Sequence, residues 1–182
     1  DFTINAMALK LGFKKKKPSF EITDLFQGQK DLKDKLIRAV GSPQDRFQED
    51  ALRMLRAVRL ATTLDFKIEP KTAEAIPKNA VLIKAISQER IRDELIKIIM
   101  SVRAAQGIEL LRERGLLKYI MPELEQGYGI GQNKHHIYDC YQHSLLSLEY
   151  AAKKGFNEQV RIAALLHDVG KPKAKRGQGQ DS

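Results

Sequence analysis

Apolar residues recur at helical spacing along most of the chain. In EDALRMLRAVRLA, residues 49 to 61, Ala51, Met54, Leu55, Val58, Ala61 and the following Thr62 fall within one arc of roughly 120° when each residue turns about 100°. The spacing predicts a helix from about Gln48 to Thr63 with a core-facing stripe. From residue 28 onward the signals are helical, punctuated by Gly41-Ser42-Pro43 after Leu36-Ile37-Arg38-Ala39-Val40. Thr72 to Ile76 makes a short apolar-faced turn that Pro77 breaks. Ser87 stands where a cap is expected, with Arg90 in place of the usual capping-box acid, and Ile91, Leu95, Ile98 and Ile99 mark a buried face. A further helix from Ala104 to Arg114 stops at Gly115, and Leu116, Leu117 and Ile120 pack before Pro122.

The first residues behave differently. Residues 1 to 11 alternate poorly and suggest a short helix or a strand-to-helix passage, while KKKKP at 14 to 18 reads as a turn. Ser19 to Leu25 is a strand candidate, the last hairpin of a small sheet whose other strands lie upstream. No internal repeat appears, and GYGIGQ at 127 to 132 reads as a linker marking a domain boundary.

Opposite the apolar stripe, Arg53, Arg56 and Arg59 follow one another three residues apart, with Asp50 one turn from Arg53. An ionised Asp50 only accepts hydrogen bonds and Arg53 only donates them, so the pair has the means to mimic the edge of a pairing base. Arg56 and Arg59 can then neutralise a triphosphate. Taken alone, the Asp50 and Arg53 spacing also suits an ordinary surface ion pair.

Composition narrows the partners. Thirty-two Lys and Arg against 23 Asp and Glu give a net charge of +9, with clusters at Lys14 to Lys17 and Lys171 to Arg176. That excess favours a polyanion, nucleic acid before others. One cysteine, Cys140, excludes an internal disulfide and a multi-cysteine zinc knuckle, and a cytoplasmic home is the simplest setting. No apolar run approaches the roughly 20 residues of a membrane span. The opening on Asp1 and the polar close KRGQGQDS lead us to expect an internal piece of a longer protein.

Four blocks in order carry a resemblance: DFTINAMAL at 1 to 9, DLFQGQKDL at 24 to 32, EDALRMLRAVRLA at 49 to 61 and ISQERIRDELIKII at 86 to 99. The series resembles the bacterial-type tRNA nucleotidyltransferase and poly(A) polymerase family, which includes CCA-adding enzymes. A second constellation follows. His167-Asp168, then Gly170-Lys171-Pro172, with His143 upstream, resembles the signature of the HD metal-dependent phosphohydrolase superfamily. Mixed imidazole and carboxylate ligands suit a divalent ion that acidifies a water. The later aspartate of that superfamily has no counterpart before Ser182, since Asp181 lies too close in a polar tail. His135, Asp139 and His143, at i, i+4 and i+8, also fit a simple polar helix face.

The resemblance implies a mainly α fold: residues 1–40 end an α+β nucleotidyltransferase palm, 41–126 form a helical neck, and 127–182 begin an HD domain. It implies CCA addition to the tRNA 3′ end from CTP and ATP. By resemblance Asp1 and Asn5 contact the ribose, Asp50 and Arg53 read the base edge, Arg56 and Arg59 contact phosphates, and residues 86 to 99 brace the motif helix. His143, His167 and Asp168 would hold a divalent metal. The Mg2+ ions of transfer would be bound by carboxylates upstream of this chain, so the chain alone is expected to be inactive in transfer. Poly(A) polymerase, an A-adding or CC-adding relative, and an HD phosphohydrolase with a nucleic-acid-binding neck remain open as alternatives.

Overall fold

The computed structural model describes residues 1–14, 17–130 and 139–177. Thr3–Asn5 form a single 3-10 turn that leads into a hairpin, β1 (Met7–Lys14) antiparallel to β2 (Lys17–Asp24). Of the two expectations for residues 1 to 11, the short helix is present as this turn, and a strand follows it rather than precedes it. Leu9 stands opposite Ile22 and Leu11 opposite Phe20, so the pattern that looked poor within one strand is made regular by its partner. These four side chains are exposed on one face of the ribbon.

After β2, the Asp24 carboxylate accepts N–H groups of Phe26, Gly28 and Gln29 at 3.3, 2.8 and 2.9 Å and opens α1 (Gly28–Lys33). Gly28 is required by close approach: a Cβ there would stand 2.3 Å from the Thr3 carbonyl oxygen. The run Leu36 to Val40 is extended rather than helical. β3 (Leu36–Ile37) pairs in parallel with β4 (Lys67–Ile68), and Ala39 bridges to Phe2. Its backbone groups pair with segments distant in sequence, the Ile37 carbonyl accepting the Glu69 N–H and the Arg38 carbonyl the Thr3 N–H, which outweighs a weak local preference.

A buried polar network ties this region together. Thr3 Oγ1 donates to Asp31 Oδ2 at 2.7 Å, Arg38 Nε donates to the same oxygen at 2.9 Å, and Arg38 Nη1 lies 3.4 Å from Glu69 Oε1. Thr72 donates N–H and Oγ1–H to Glu69 Oε2 at 2.8 and 2.9 Å. Burial raises the Asp31 carboxyl, but hydrogen bonds from Arg38 and Thr3, with the charges of Arg38 and Lys30, outweigh it and hold the pKa below the ordinary value. A depressed folded pKa contributes stability that is present above about pH 3.9 and lost as pH falls through the folded value. The urea midpoint is expected to drop in that acid range and to depend less on pH in Asp31→Asn; an unchanged pH profile in the variant would contradict this.

The helix expected from Gln48 to Thr63 is two helices. α2 (Pro43–Glu49) follows Ser42, which accepts the Asp45 N–H, and α3 (Leu52–Leu64) follows a break at Asp50. Asp50 is extended, φ −150° and ψ 103°, and its Oδ1 accepts the Leu52 N–H at 3.1 Å while its carbonyl accepts from Arg53. A short carboxylate that bonds the backbone locally competes with helix continuation. The predicted stripe holds: Ala51, Met54, Leu55, Val58, Ala61 and Thr62 are all buried.

α3 is the centre of the body, packed by α5 (Gln88–Ile99) and α6 (Ala104–Glu113). Gly107 allows that approach, because a Cβ would meet Ile98 Cγ2 at 2.5 Å and Thr62 Cγ2 at 2.8 Å. α4 (Pro70–Asn79) continues through Pro77, contrary to the expected break; the Glu69 side chain caps its start and only the N–H at 77 is missing. A 3-10 segment, Ala80–Ala85, follows. Ser87 precedes α5 as expected but its side chain makes no capping bond. Ile91, Ile98 and Ile99 are buried and Leu95 packs beside them.

α7 (Leu117–Ile120) and α8 (Pro122–Glu125) precede α9 (Cys140–Lys153), α10 (Glu158–Leu166) and α11 (Lys171–Gly177). Of the expected linker, Gly127 and Ile130 are packed: their carbonyls accept N–H groups of Tyr141 and Cys140 at 3.2 and 3.0 Å, while Gly131 and Gln132 lie outside the described residues. Asp139 caps α9 by accepting the Gln142 N–H at 2.6 Å, and His135 and His136 lie outside the described residues. α9 packs on α10 and α6, and α10 on α5, so one apolar cluster runs from Phe2 to Leu165. No helix among the described residues is long and apolar enough to cross a membrane.

Candidate nucleotide-reading site and metal-binding cluster

The break between α2 and α3 brings Asp1, Asp50, Arg53 and Arg56 together, while Arg59 lies further along α3 and, among the described residues, no contact joins Asn5 to the group. Val40 donates its N–H to the Asp1 carbonyl, which seats Asp1 over the first turns of α3. Arg53 Nε donates to Asp1 Oδ1 at 2.9 Å, and its Nη1 donates to Glu49 Oε2 at 2.7 Å and the Arg46 carbonyl at 3.0 Å. Arg56 Nη1 pairs with Asp1 Oδ2. Arg59 Nε lies 2.5 Å from Glu94 Oε2 on α5. The three arginines are thus matched by carboxylates rather than solvated, their side chains 19, 33 and 20% exposed in order.

Asp50 does not pair with Arg53. Its Oδ2 accepts from Arg90 Nη2 at 2.8 Å, so the i, i+3 ion pair is replaced by one between α5 and the break. Burial works against the ionised form of Asp50, yet the Arg90 and Leu52 hydrogen bonds and the charges of Arg90 and Arg53 keep its pKa below the ordinary value. The acceptor is therefore ionised and fixed from two sides. Arg53 is likewise clamped through Nε and Nη1, and its Nη2 makes no hydrogen bond among the described residues. Asn5 is exposed at the end of the 3-10 turn.

Sequence reasoning missed Glu49, Arg90 and Glu94. The signal was present, since Arg90 and Glu94 stand one turn apart in the bracing block, on the helix that packs against α3. Glu94 is buried, and a buried acid on an amphipathic helix calls for a cation opposite.

The second cluster lies where α9 meets the end of α10. His143 Nε2 is 3.0 Å from His167 Nε2, and Asp168 Oδ2 is 3.6 and 3.5 Å from the two nitrogens. Ligands roughly 2.0–2.2 Å from one ion stand at about such separations from each other, so the donor set fits a divalent metal. His167 Nδ1 is 3.0 Å from the Ala164 carbonyl, which can only accept, so Nδ1 donates and Nε2 is the atom turned to His143 and Asp168. Lys171 Nζ donates to Asp168 Oδ2 at 2.7 Å. Burial raises the Asp168 carboxyl, but Lys171, His167 and His143 hold it below the ordinary value. All three predicted metal residues are brought together.

Residues 1–38 match the poly(A) polymerase head domain, and residues 65–127 match the probable RNA and SrmB binding site of polymerase A. The A-adding tRNA nucleotidyltransferase of Deinococcus radiodurans is 38% identical over 180 residues, covering 95% of this chain and 39% of that protein. The CCA-adding enzyme of Ligilactobacillus salivarius is 46% identical over 119 residues, 65% of this chain and 28% of that protein. The Bacillus stearothermophilus CCA-adding enzyme in complex with CTP superposes with a TM-score of 0.60 at 30% identity, over 96% of this chain and 47% of that one. A tRNA nucleotidyltransferase complexed with a primer tRNA and an incoming ATP analogue gives 0.67 at 26% identity, over 91% of this chain and 47% of that one. The hairpin lies within the head-domain match, and the helices α4 to α8 lie within the match to the RNA-binding-site model. The chain belongs to the tRNA nucleotidyltransferase and poly(A) polymerase family, and it spans about two fifths of the Deinococcus relative.

Proposed function

We propose that this chain is the nucleotide-selecting part of an enzyme that completes the tRNA 3′ end from CTP and ATP. The observation that carries the reading is the pair of clamped, oppositely equipped side chains at the α2–α3 break, Asp50 and Arg53. Cytosine and adenine each offer an exocyclic amino group beside a ring acceptor, whereas uracil presents a carbonyl at the equivalent position. Asp50 accepts from the amino group and Arg53 Nη2 donates to the ring acceptor. Arg56 and Arg59 turn from Asp1 and Glu94 toward the triphosphate, and Asp1 and Asn5 meet the ribose. In this reading residues 1–40 close the palm, 41–126 form the neck and 127–182 open an HD domain, and the protein works in the cytoplasm.

In this reading the Mg2+ ions of the transfer step would be held by palm carboxylates other than those of residues 1–182, and would supply Lewis acidity to the 3′ hydroxyl and the leaving pyrophosphate. This chain's own residues supply selection and grip. The reading is tested by substitution: Arg56→Ala in the longer enzyme should lower kcat/KM for CTP and ATP alike, roughly ten- to a hundredfold, with their ratio intact. A change confined to one nucleotide would assign Arg56 to the base instead. A second reading, addition of A alone, has its support in the 38% identity to the A-adding relative over 95% of the chain, a coverage that the Bacillus stearothermophilus CCA-adding enzyme also reaches. The nucleotides incorporated onto tRNA lacking CCA and onto tRNA ending in CC separate the two.

In this reading His143, His167 and Asp168 would hold a divalent metal in an HD-type site, and the ion would supply a water of lowered pKa. Calorimetric titration of the chain with Mn2+ should show binding that His167→Ala removes while the circular dichroism spectrum is unchanged. Equal binding by the variant would leave His167 as a hydrogen-bonded surface histidine. In the longer protein Asp168→Ala should abolish metal-dependent phosphohydrolysis and spare nucleotide addition.

A further inference from the structure

Two acids beside α3 each carry two cations, one on each carboxylate oxygen. Asp1 Oδ1 accepts from Arg53 Nε at 2.9 Å and Oδ2 meets Arg56 Nη1, while Glu94 Oε2 lies 2.5 Å from Arg59 Nε and Oε1 accepts from Lys97 Nζ at 3.1 Å. The two cations on each acid are held differently. Arg53 and Lys97 donate aligned hydrogen bonds to their acids, whereas Arg56 and Arg59, the arginines assigned to the triphosphate, meet the same acids as ion contacts without one. Arg53 is fixed further by Glu49 and the Arg46 carbonyl. Lys97 follows Glu94 by three residues on α5, and Arg90, one turn before Glu94, is engaged with Asp50 instead.

An arginine drawn to a phosphate must leave its carboxylate, and the acid left behind is then a charge with one counterion fewer. Glu94 is 8% exposed, so abandoning it without a cation would weaken nucleotide binding. Lys97 removes that penalty. We propose that Glu94 and Lys97 set how tightly the site holds a nucleoside triphosphate: Glu94 keeps Arg59 in place until a triphosphate takes it, and Lys97 is the counterion that lets it go. Both are positioning residues, acting on the ligand through Arg59. The proposal rests on the reading of Arg59 as a phosphate contact.

The test is calorimetric titration of CTP and ATP, without tRNA, into the longer enzyme and the variants K97Q, E94Q, E94Q/K97Q and Arg59→Ala. K97Q should bind both nucleotides roughly two- to fivefold more weakly, the range of a surface ion pair, and in addition kinetics the loss should fall on KM rather than kcat. Its melting temperature should not move, since the Lys97 side chain is 54% exposed. E94Q should bind both roughly five- to tenfold more tightly, because Arg59 no longer leaves a carboxylate. The double variant separates exchange from mere charge. Acting only through Glu94, the loss of Lys97 adds nothing, and E94Q/K97Q binds like E94Q; a return to wild-type affinity would make the two independent charges near an anion and overturn the exchange. Unchanged affinity in K97Q overturns it as well. Arg59→Ala should weaken binding roughly ten- to a hundredfold. If it does so while K97Q and E94Q are inert, only the exchange fails; if Arg59→Ala binds as the wild type, the phosphate reading fails with it.

Discussion

Replacing Arg161 by methionine is expected to destabilise the protein by about 3–5 kcal/mol, lowering Tm by roughly 6–15 °C. Arg161, on α10, is 5% exposed. Its Nε donates to the Phe156 carbonyl at 2.9 Å, Nη1 to the Ile99 and Ser101 carbonyls at 3.1 and 2.9 Å, and Nη2 to the Ala152 carbonyl at 3.4 Å. These carbonyls sit at or just beyond the C-terminal ends of α5 and α9, where unpaired acceptors and the negative end of the helix dipole collect. One guanidinium therefore joins three helices, two of them from the histidine-bearing half. Methionine keeps the apolar stem and takes the donor from the Ile99, Ser101 and Phe156 carbonyls, while the Ala152 carbonyl still accepts the Gly155 N–H. Arg161→Lys should recover part of the loss, because an ammonium keeps the charge with a less suitable donor geometry. A melting temperature unchanged in both variants would mean that water replaces the guanidinium at no cost.

In the longer enzyme, Asp50→Ala is expected to erase most of the preference for CTP and ATP over UTP and GTP. One charge-assisted hydrogen bond to the base amino group is worth about 1.5–3 kcal/mol, roughly ten- to a hundredfold in kcat/KM for the two correct nucleotides. UTP and GTP should change little, since they never made that bond. The variant also frees Arg90, which then faces the break without its partner. A uniform fall for all four nucleotides would identify Asp50 as a structural cap of α3, a role that its bond to the Leu52 N–H already fills.

The packing of residues 86 to 99 on α3 and the meeting of His143 with His167 and Asp168 across two helices were expected from the resemblance, whereas the apolar stripe of α3 was legible in the sequence because it depends on spacing within one helix. The break at Asp50 was not. The local competition between its carboxylate and the helix leaves no mark on hydrophobic periodicity, since Ala51 keeps its place in the core. Nor were the partners of the arginines visible. Asp1 meets Arg53 across 52 positions, and Arg90 meets Asp50 across 40, distances that only the packed fold closes. Leu36 to Val40 was misread for the same reason, as its pairing partners lie at Phe2 and at Lys67–Ile68.

The central claim is that the Asp50 carboxylate accepts a hydrogen bond from the amino group of the incoming base. The most direct test compares CTP with its analogue bearing hydrogen in place of the 4-amino group, in the wild-type longer enzyme and in Asp50→Ala, by single-nucleotide addition kinetics. The wild type should prefer CTP by roughly ten- to a hundredfold, and the variant should treat the two nucleotides within about twofold of each other. A wild-type preference that survives intact in Asp50→Ala would contradict the claim, and the base would then be read by other residues.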